Sequence, residues 1–572
     1  MATENNKNNK KYCPLVKFVI KMFNPLIIKK KPCNLIIPIL PTECMQQIFQ
    51  NIVDQGEALY PFLLVNRYWC KNVVPFLWSR PFENLLPENR FKIMCIYLSS
   101  LDEQEQLILS SALKHYDIKL PKIQKPLFNY PILLKEFSFK NLEMIVHSFV
   151  YRWSCDHCSI KDLDEQMNII TSSLCKLFLK NSTSLRSFKL DKFLTHCDIP
   201  ECNNIFDYNF NNFNNIYYNF PDLSNISKLE IDYTTTPIMK NSIQILNIIS
   251  KLCKRIRILD IKIPPFTDKI PEITKGIIKI IRSQECLREF NLEGVDSEES
   301  KEIILALRTQ ATTLNIVKFE NINLTTSSLL SLTHCTNLEI LSMLNCRGLT
   351  IDDNDYSTSD KSNNIWNLIK FNLKKLHITN SPKYPMIPAQ IIRASGEDSL
   401  QDLTFDVITH ETINSIIQNC PNITNLTLLN YQPRQHNPLL NSLFLNLIHI
   451  THLTLQINHK NMSYENMIIS GKNLPPNLEY LKLKCGFTSV QLDGLLNDCG
   501  ENAKLKVLII DFMKVLYMDL KVIMKFVKCR RTLKYLGING RVGWGGKEMK
   551  ELEVLKEKFG VHVIPWYEVD KW

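Results

Sequence analysis

The chain has 572 residues, enough for several domains, and its 45% hydrophobic and 22% charged residues are typical of a globular protein. Glycine is scarce at 15 residues, which argues against folds that bind phosphate through glycine-rich loops. The net charge of +11 is uneven, because residues 1–39 carry eight lysines and one glutamate, or +7, and leave only +4 for the rest. A nucleic-acid-binding protein gathers basic residues on its folded body, so we expect no nucleic-acid partner.

Residues 1–39 are predicted to be a disordered basic tail. The apolar stretch at positions 15–28 is interrupted by Lys17, Lys21 and Pro25, and it fits neither a secretory signal peptide nor a membrane span. No later stretch of the sequence is both long enough and apolar enough to span a membrane. We therefore expect no membrane partner and a cytoplasmic or nuclear location, with the 18 cysteines present as reduced thiols.

Three short helices are predicted between residues 40 and 82. Thr42 is a good N-cap for the first helix. Asn66 can cap the third helix, which places Trp69 and Val73 one turn apart on the same side. A bundle this small leaves apolar side chains that need a partner. The apolar face of the first helix consists of Met45, Ile48, Phe49 and Ile52.

The same segment carries a pattern with several fixed points. It consists of Leu40-Pro41-x-Glu43, Ile48-Phe49, Leu64-Val65-Asn66-Arg67-x-Trp69 and Pro75-x-Leu77-Trp78. In this order and spacing the segment resembles an F-box, although Cys44 stands where an aliphatic residue is common. A generic helical hairpin is the alternative. The resemblance implies that the bundle binds a Skp-type adaptor. The positions that contact the adaptor, or support the helices that do, are then Leu40, Pro41, Ile48, Leu64, Val65 and Trp69.

Residues 83–180 are predicted to be a helical spacer, with helical patterns at 91–98 and 107–113. Cys155 and Cys158 form a CxxC pair that could belong to a zinc site, but no matching second pair accompanies it. Asp352, Asp353 and Asp355 lie in a polar insert without the glycine of a calcium loop. We expect no metal and no cofactor.

From residue 181 to 572 the chain repeats the pattern aliphatic-x-x-aliphatic-x-aliphatic, with thirteen starts about 29 residues apart. The alternation within each pattern predicts a short strand with one buried face. Helical patterns lie between the strands, and one strand plus one helix must stack on neighbours to bury its apolar face. The starts are Leu185, Ile226, Ile256, Leu287, Leu314, Leu338, Leu373, Leu400, Ile423, Ile450, Leu478, Leu505 and Leu533.

This region resembles the leucine-rich repeat. The resemblance implies an α/β solenoid, or horseshoe, preceded by the small all-α three-helix bundle and closed by a C-terminal cap. The family's Asn or Cys position beyond the strand is mostly missing, because only Cys346 and Asn458 occupy it. We also predict that cysteines near the helix-to-strand turns are buried structural thiols. These are Cys253, Cys335, Cys420 and Cys529.

Side chains between the aliphatic anchors are expected on the concave face. They mix both signs of charge, which favours a protein target over a phosphate track. Aromatic residues beside lysines suggest a target-binding stretch at Tyr480, Lys482, Lys484 and Tyr535. The remaining predicted face residues are Lys228, Glu230, Asp232, Asp260, Glu289, Lys318, Lys375, His377, Asp402 and His452.

Together the two resemblances imply the substrate-receptor subunit of a cullin-type ubiquitin ligase, with catalysis in other subunits. The sequence shows no combination of nucleophile, acid and base, so we expect no enzyme activity in this chain. The alternative is a scaffold that binds the adaptor, or another partner, without promoting degradation. An enzyme within residues 86–180 has little support from the sequence.

Overall fold

The computed structural model describes most of the chain from residue 40 onwards, in two compact units, Met1–Ile226 and Ser227–Trp572. Among the described residues, no helix combines the length and hydrophobicity that a membrane span requires. The described residues are 40–54, 58–83, 85–116, 118, 120, 126–153, 160–181, 183–191, 223–234, 240–263, 270–294, 297–348, 368–379, 386–395, 399–431, 433–457, 471–484, 488–499, 504–511, 517–538 and 546–565.

The first unit is mainly helical. Its helices are α1 (Thr42–Asp54), α2 (Arg67–Leu77), α3 (Pro87–Leu98), α4 (Glu103–Leu113), α5 (Phe139–Trp153) and α6 (Ile160–Asn181), and a 3-10 helix spans Tyr60–Leu64. Its two strands, β1 (Glu136–Ser138) and β2 (Ser187–Leu190), pair in parallel. The buried Asp191 carboxylate accepts hydrogen bonds from the Ser138 hydroxyl at 2.6 Å and the Lys140 amide at 2.9 Å. It thereby links the end of β2 to the first turn of α5.

The second unit alternates strands with helices. The helices are α7 (Lys240–Leu252), α8 (Ile270–Ser283), α9 (Ser297–Ala306), α10 (Thr326–Leu332), α11 (Met386–Ala394), α12 (His410–Asn419), α13 (Pro433–Asn446), α14 (Ser489–Leu496), α15 (Tyr517–Arg530) and α16 (Gly546–Phe559). The strands are β3 (Lys228–Asp232), β4 (Ile258–Lys262), β5 (Glu289–Glu293), β6 (Ile316–Glu320), β7 (Ile340–Leu344), β8 (Lys375–Thr379), β9 (Asp402–Phe405), β10 (Asn425–Tyr431), β11 (His452–Ile457), β12 (Tyr480–Lys484), β13 (Val507–Ile510), β14 (Tyr535–Ile538) and β15 (His562–Pro565).

Strands β3 to β15 form a parallel sheet in chain order, each paired with the next. Each of the thirteen sequence starts lies two residues before an observed strand, from β2 to β14, so the repeat prediction is confirmed. The second and third aliphatic positions are buried, as Leu259 and Ile261 show at 0% exposure. Residues between and beside them are mostly part-exposed. This architecture is that of a repeat solenoid.

The chain leaves several strands through a left-handed residue. Gly294 follows β5 with φ 82°, Asn321 follows β6 with φ 57° and Asn345 follows β7 with φ 53°. Asparagine and glycine tolerate this region better than other residues. At Gly294 a Cβ atom would lie 2.2 Å from the Ile263 carbonyl oxygen, so no side chain fits there without a backbone shift.

Buried glutamines connect the loops that lead into β4, β5 and β6. The Gln284 side chain accepts from the Ile256 amide at 2.9 Å and donates to the Cys253 carbonyl at 2.8 Å. Gln310 donates to the Ile281 carbonyl at 2.9 Å and the Gln284 carbonyl at 3.0 Å. In these repeats the glutamines therefore hold one loop to the next, a role that the sequence did not reveal.

The predicted structural cysteines are mostly confirmed. Cys253, Cys335 and Cys420 are buried, and burial raises the thiol pKa of Cys335 to about 11 and of Cys420 to about 12. The thiols of Cys335 and Cys420 are therefore neutral at physiological pH, and all three cysteines pack as small apolar groups. The prediction for Cys529 is wrong, because its side chain is exposed. It lies four residues before its repeat start rather than three, which turns it to another side of α15.

The glutamine connection is testable by Gln284→Leu, which keeps the volume but leaves the Ile256 amide and two carbonyls without this partner. We expect the free energy of unfolding to fall by about 1–3 kcal/mol, the range for unsatisfied buried polar groups. Urea unfolding measures it, with Gln418→Leu on the exposed face of α12 as the control. Equal stability of the two variants would contradict a structural role for Gln284.

Candidate functional site

The helical bundle formed by α1, the 3-10 helix and α2 has a compact aromatic core. Phe49 lies 5.6 Å from the Trp69 ring and 5.7 Å from the Phe62 ring, and Phe62 stacks on Trp69 at 5.7 Å. The Asn66 side chain accepts from the Trp69 amide at 2.9 Å and caps α2, as predicted. The helix α1 already includes Thr42, the predicted cap residue, so it begins one residue earlier than predicted. The buried set is Met45, Phe49, Ile52, Leu59, Phe62, Trp69 and Val73.

Several large apolar side chains of the bundle remain outside this core. Leu64 is 89% exposed, and Leu40 and Val65 are each 42% exposed. The Tyr68 hydroxyl donates to the Leu40 carbonyl at 2.6 Å, which fixes the opening segment beside the first turn of α2. Leu64 and Val65 lie just before that turn, so these exposed side chains occupy one end of the bundle. An exposed cluster of this kind is typical of an interaction surface.

The six residues predicted for this surface thus divide into two groups. Leu40, Pro41, Leu64 and Val65 are exposed and can contact a partner. Trp69, at 6% exposure, lies in the core, and Ile48 is half-buried and packs against that core. Their side chains support the helices rather than form the outer surface. The aromatic contacts of Trp69 with Phe49 and Phe62 explain its burial, and periodicity alone does not distinguish these two roles.

The second candidate surface is the face of the sheet opposite the buried anchors. Its predicted residues are at least part-exposed, with the exception of Lys482. Towards the C-terminal end, one row of register partners runs His452, Tyr480, Val507, Tyr535 and His562. The His452 and Tyr480 rings stack at 5.2 Å, and the Tyr535 and His562 rings stack at 5.4 Å. Two aromatic pairs therefore flank Val507.

Lys482 is only 7% exposed, which corrects the expectation of a solvent-exposed lysine. Its register partner in β13 is Ile509, which is 0% exposed, and the next partner is Gly537, which is also buried. The row formed by Lys482, Ile509 and Gly537 is therefore buried, whereas Lys484 and the two tyrosines are part-exposed. Val507, Ile509 and His562 were missed from the sequence, although the repeat register assigns them to this face.

On the same face, strands β3 to β6 carry many charged side chains. Lys262 pairs with Glu293 at 3.1 Å, and Lys318 pairs with Glu289 at 2.7 Å. The hydrogen bond to Glu293 raises the pKa of Lys262, and Asp260 and Asp232 add to the effect. Acidic groups outnumber lysines on this part of the face. They are Glu230, Asp232, Asp260, Glu289, Glu293 and Glu320, against Lys228, Lys262 and Lys318.

Within the described residues, no group of three or more His, Cys, Asp or Glu side chains is placed to hold a metal ion. The pair Cys155 and Cys158, the polar insert at Asp352, Asp353 and Asp355, and Asn458 lie outside the described residues.

Comparison with known proteins gives little further information. No family model matches the chain, and no curated protein matches it. A chain in the crystal structure of the Rad7 and Elc1 complex in yeast is similar at 12% sequence identity and a TM-score of 0.29, over 76% of this chain and 94% of that chain. A likeness at this level carries no conclusion, so fold and function rest on the chain's own sequence and geometry.

The histidines on the face make stability depend on pH. Burial lowers the pKa of His377 and His452, although Asp402 near both histidines, and Glu479 near His452, act in the opposite direction. With a lowered histidine pKa, the folded chain binds fewer protons than the unfolded chain at mildly acidic pH. The stability of the fold is therefore unaffected by these histidines above the ordinary histidine pKa of 6.5, and it decreases as the pH falls below that value. We expect His377→Gln/His452→Gln to reduce the drop in melting temperature between neutral and mildly acidic pH. An unchanged drop would contradict this.

Proposed function

We propose that this chain is the substrate-recognition subunit of a Skp-cullin-F-box ubiquitin ligase. In this proposal residues 40–82 form an F-box that binds a Skp-type adaptor, and residues 181–572 form leucine-rich repeats that bind a protein target. Ubiquitin transfer belongs to other subunits, and the chain itself is not an enzyme. The setting is cytoplasmic or nuclear, where cullin complexes work.

The observation that carries the proposal is the exposure of Leu64, Leu40 and Val65 beside a core that is already filled. Burying a leucine side chain contributes about 1.5–3 kcal/mol, so leaving several exposed at one end of a small bundle favours a partner that covers them. These are also the positions at which the F-box pattern puts its adaptor contacts. Sequence pattern and exposure therefore agree on the same residues.

The repeat region supports the second half of the proposal. Its open face is lined by side chains in straight rows, about 4.8 Å apart from strand to strand. The stacked pairs at Tyr480 and Tyr535 present aromatic surface with polar neighbours, a composition that protein-binding sites favour. Acidic side chains dominate β3 to β6, so the two ends of the face differ in chemistry. An extended protein segment with distinct ends matches such a surface.

The adaptor contact is tested by Leu64→Glu and by Leu40→Ala/Pro41→Ala in co-purification with a Skp-type adaptor. Because a hot-spot residue contributes about 2 kcal/mol or more, we expect each variant to lower adaptor binding at least about tenfold. Leu445→Glu on α13 is the matched control, since Leu445 is also strongly exposed, at 74%. Normal adaptor binding by both bundle variants would contradict the assignment.

The Trp69→Ala variant distinguishes residues that support the bundle from residues that contact the adaptor. Loss of a buried aromatic side chain costs about 3–5 kcal/mol, so this variant should destabilise the bundle and lose adaptor binding together. Leu64→Glu should lose binding with an unchanged melting temperature. A stable Trp69→Ala chain would show that the ring does not hold the core together.

The target surface is tested by Tyr480→Ala/Lys484→Ala/Tyr535→Ala, which leaves the buried Lys482 in place. Targets captured from cells with and without proteasome inhibition should bind this variant several-fold more weakly, because the exposed aromatic surface is lost. Leu445→Ala/Val490→Ala on the helices provides the control. Equal capture by the face variant and the wild type would contradict the concave-face prediction. A ubiquitin-transfer assay with captured target then separates a ligase receptor from a scaffold.

A further inference from the structure

A second charged surface lies on the segments that lead into β4, β5 and β6, residues 251–257, 282–288 and 307–315, each of which joins the end of a helix to the loop before the strand. We call it the basic edge. The Glu285 amide donates to the Lys254 carbonyl at 3.0 Å, the Arg288 amide to the Arg257 carbonyl at 2.8 Å, and the Asn315 amide to the Arg288 carbonyl at 2.8 Å. The three loops are therefore stacked at strand spacing, about 4.8 Å apart.

This stack is held from inside by the two buried glutamines. Gln284 binds backbone groups of the loop before it, and Gln310 binds the Gln284 carbonyl at 3.0 Å. With their backbones joined by these bonds, the loops present their outer side chains from fixed positions. A surface fixed in advance loses less conformational entropy when it binds.

The charged side chains of the basic edge are cationic with one exception. The positive set is Lys251, Lys254, Arg255, Arg257, Arg282, Arg288 and Arg308, and Glu285 is the acidic residue among them. All five arginines are exposed. In the described part of the chain, none of the five forms an ion pair with a carboxylate. The acidic side chains of the same repeats lie instead on the open face of the sheet, where lysines already pair with two of them.

We propose that the basic edge binds an acidic segment of a partner protein, one with several Asp or Glu side chains close together. Arginine is suited to this because its planar guanidinium can donate two parallel hydrogen bonds to one carboxylate. The fixed spacing of Arg257 and Arg288 on neighbouring loops matches carboxylates of an extended peptide better than a single ion.

The composition of the edge argues against two other anionic partners. Its three loops contain no aromatic residue, whereas single-stranded nucleic acid is held by stacking on aromatic rings. The loops span only about 10 Å across the strands, which is short for a phosphate track. A membrane surface favours apolar side chains beside the cations, and in the described residues 240–324 the exposed large apolar side chain is Leu305, on α9.

The test uses the full chain and a fluorescein-labelled oligoglutamate peptide, with binding followed by fluorescence anisotropy. We expect binding that weakens as salt rises from about 0.1 to about 0.5 M. Arg255→Gln/Arg257→Gln/Arg282→Gln/Arg288→Gln should bind at least about tenfold more weakly, since four exposed charge contacts each contribute a fraction of the binding free energy. The four arginines are exposed, so the melting temperature should stay the same.

The matched control is Lys547→Gln/Lys550→Gln/Lys556→Gln/Lys558→Gln, which removes four exposed cations from α16, where glutamates lie between them. The basic tail at residues 1–39 is present in every variant, so the ratio of affinities reports on the edge alone. Equal weakening in both variants would overturn the proposal. So would wild-type binding no tighter than to an uncharged Gly-Ser peptide, or tighter arginine-dependent binding of a DNA oligonucleotide or of phosphatidylserine vesicles.

Discussion

The structure depends on one constraint, that no repeat buries its own apolar side chains. Leu259, Phe290 and Val317 occupy the same position in β4, β5 and β6, and each is 0% exposed because its neighbours cover it. Each such side chain contributes about 1.5–3 kcal/mol when buried, so a shift of register would expose a whole row at once. The parallel register is therefore strongly fixed, and it also fixes the rows of polar and aromatic side chains on the opposite face.

The sequence predicts the features that follow from this periodicity and little of what depends on packing between repeats. All thirteen repeat starts precede strands, because alternation and spacing report burial directly. The three-residue strand β1 was not predicted, since one part-exposed residue followed by two buried ones shows no alternation that a sequence pattern could report. The burial of Lys482 depends on Ile509 and Gly537 in the following strands. In the bundle, the pattern did not distinguish Trp69, which is buried in the core, from Leu64, which is exposed.

Net charge was the least informative of the sequence measures. An excess of +4 over the residues after position 39 suggested a nearly neutral body. Within a few repeats, however, acidic residues lie on the strands and basic residues on the loops that lead into them. The two sets alternate along the sequence, as in Arg257 followed by Asp260, or Arg288 followed by Glu289. Their charges cancel in the net charge of the chain, and the strand register places the two sets on different surfaces.

The last described strand, β15, has few free backbone donors along its outer edge. In a parallel strand, alternate residues direct their backbone groups to opposite sides. The His562 amide donates inward to the Lys534 carbonyl at 2.8 Å. The backbone groups of the alternate residues, Val561, Val563 and Pro565, therefore point away from the sheet. The Val561 amide is already bound to the Leu555 carbonyl of α16 at 3.0 Å, and proline has no amide hydrogen. Within the described residues of this edge, Val563 is thus left as the single outward donor, too little to template a further strand, so this part of the edge resists the strand-to-strand aggregation to which open sheets are prone.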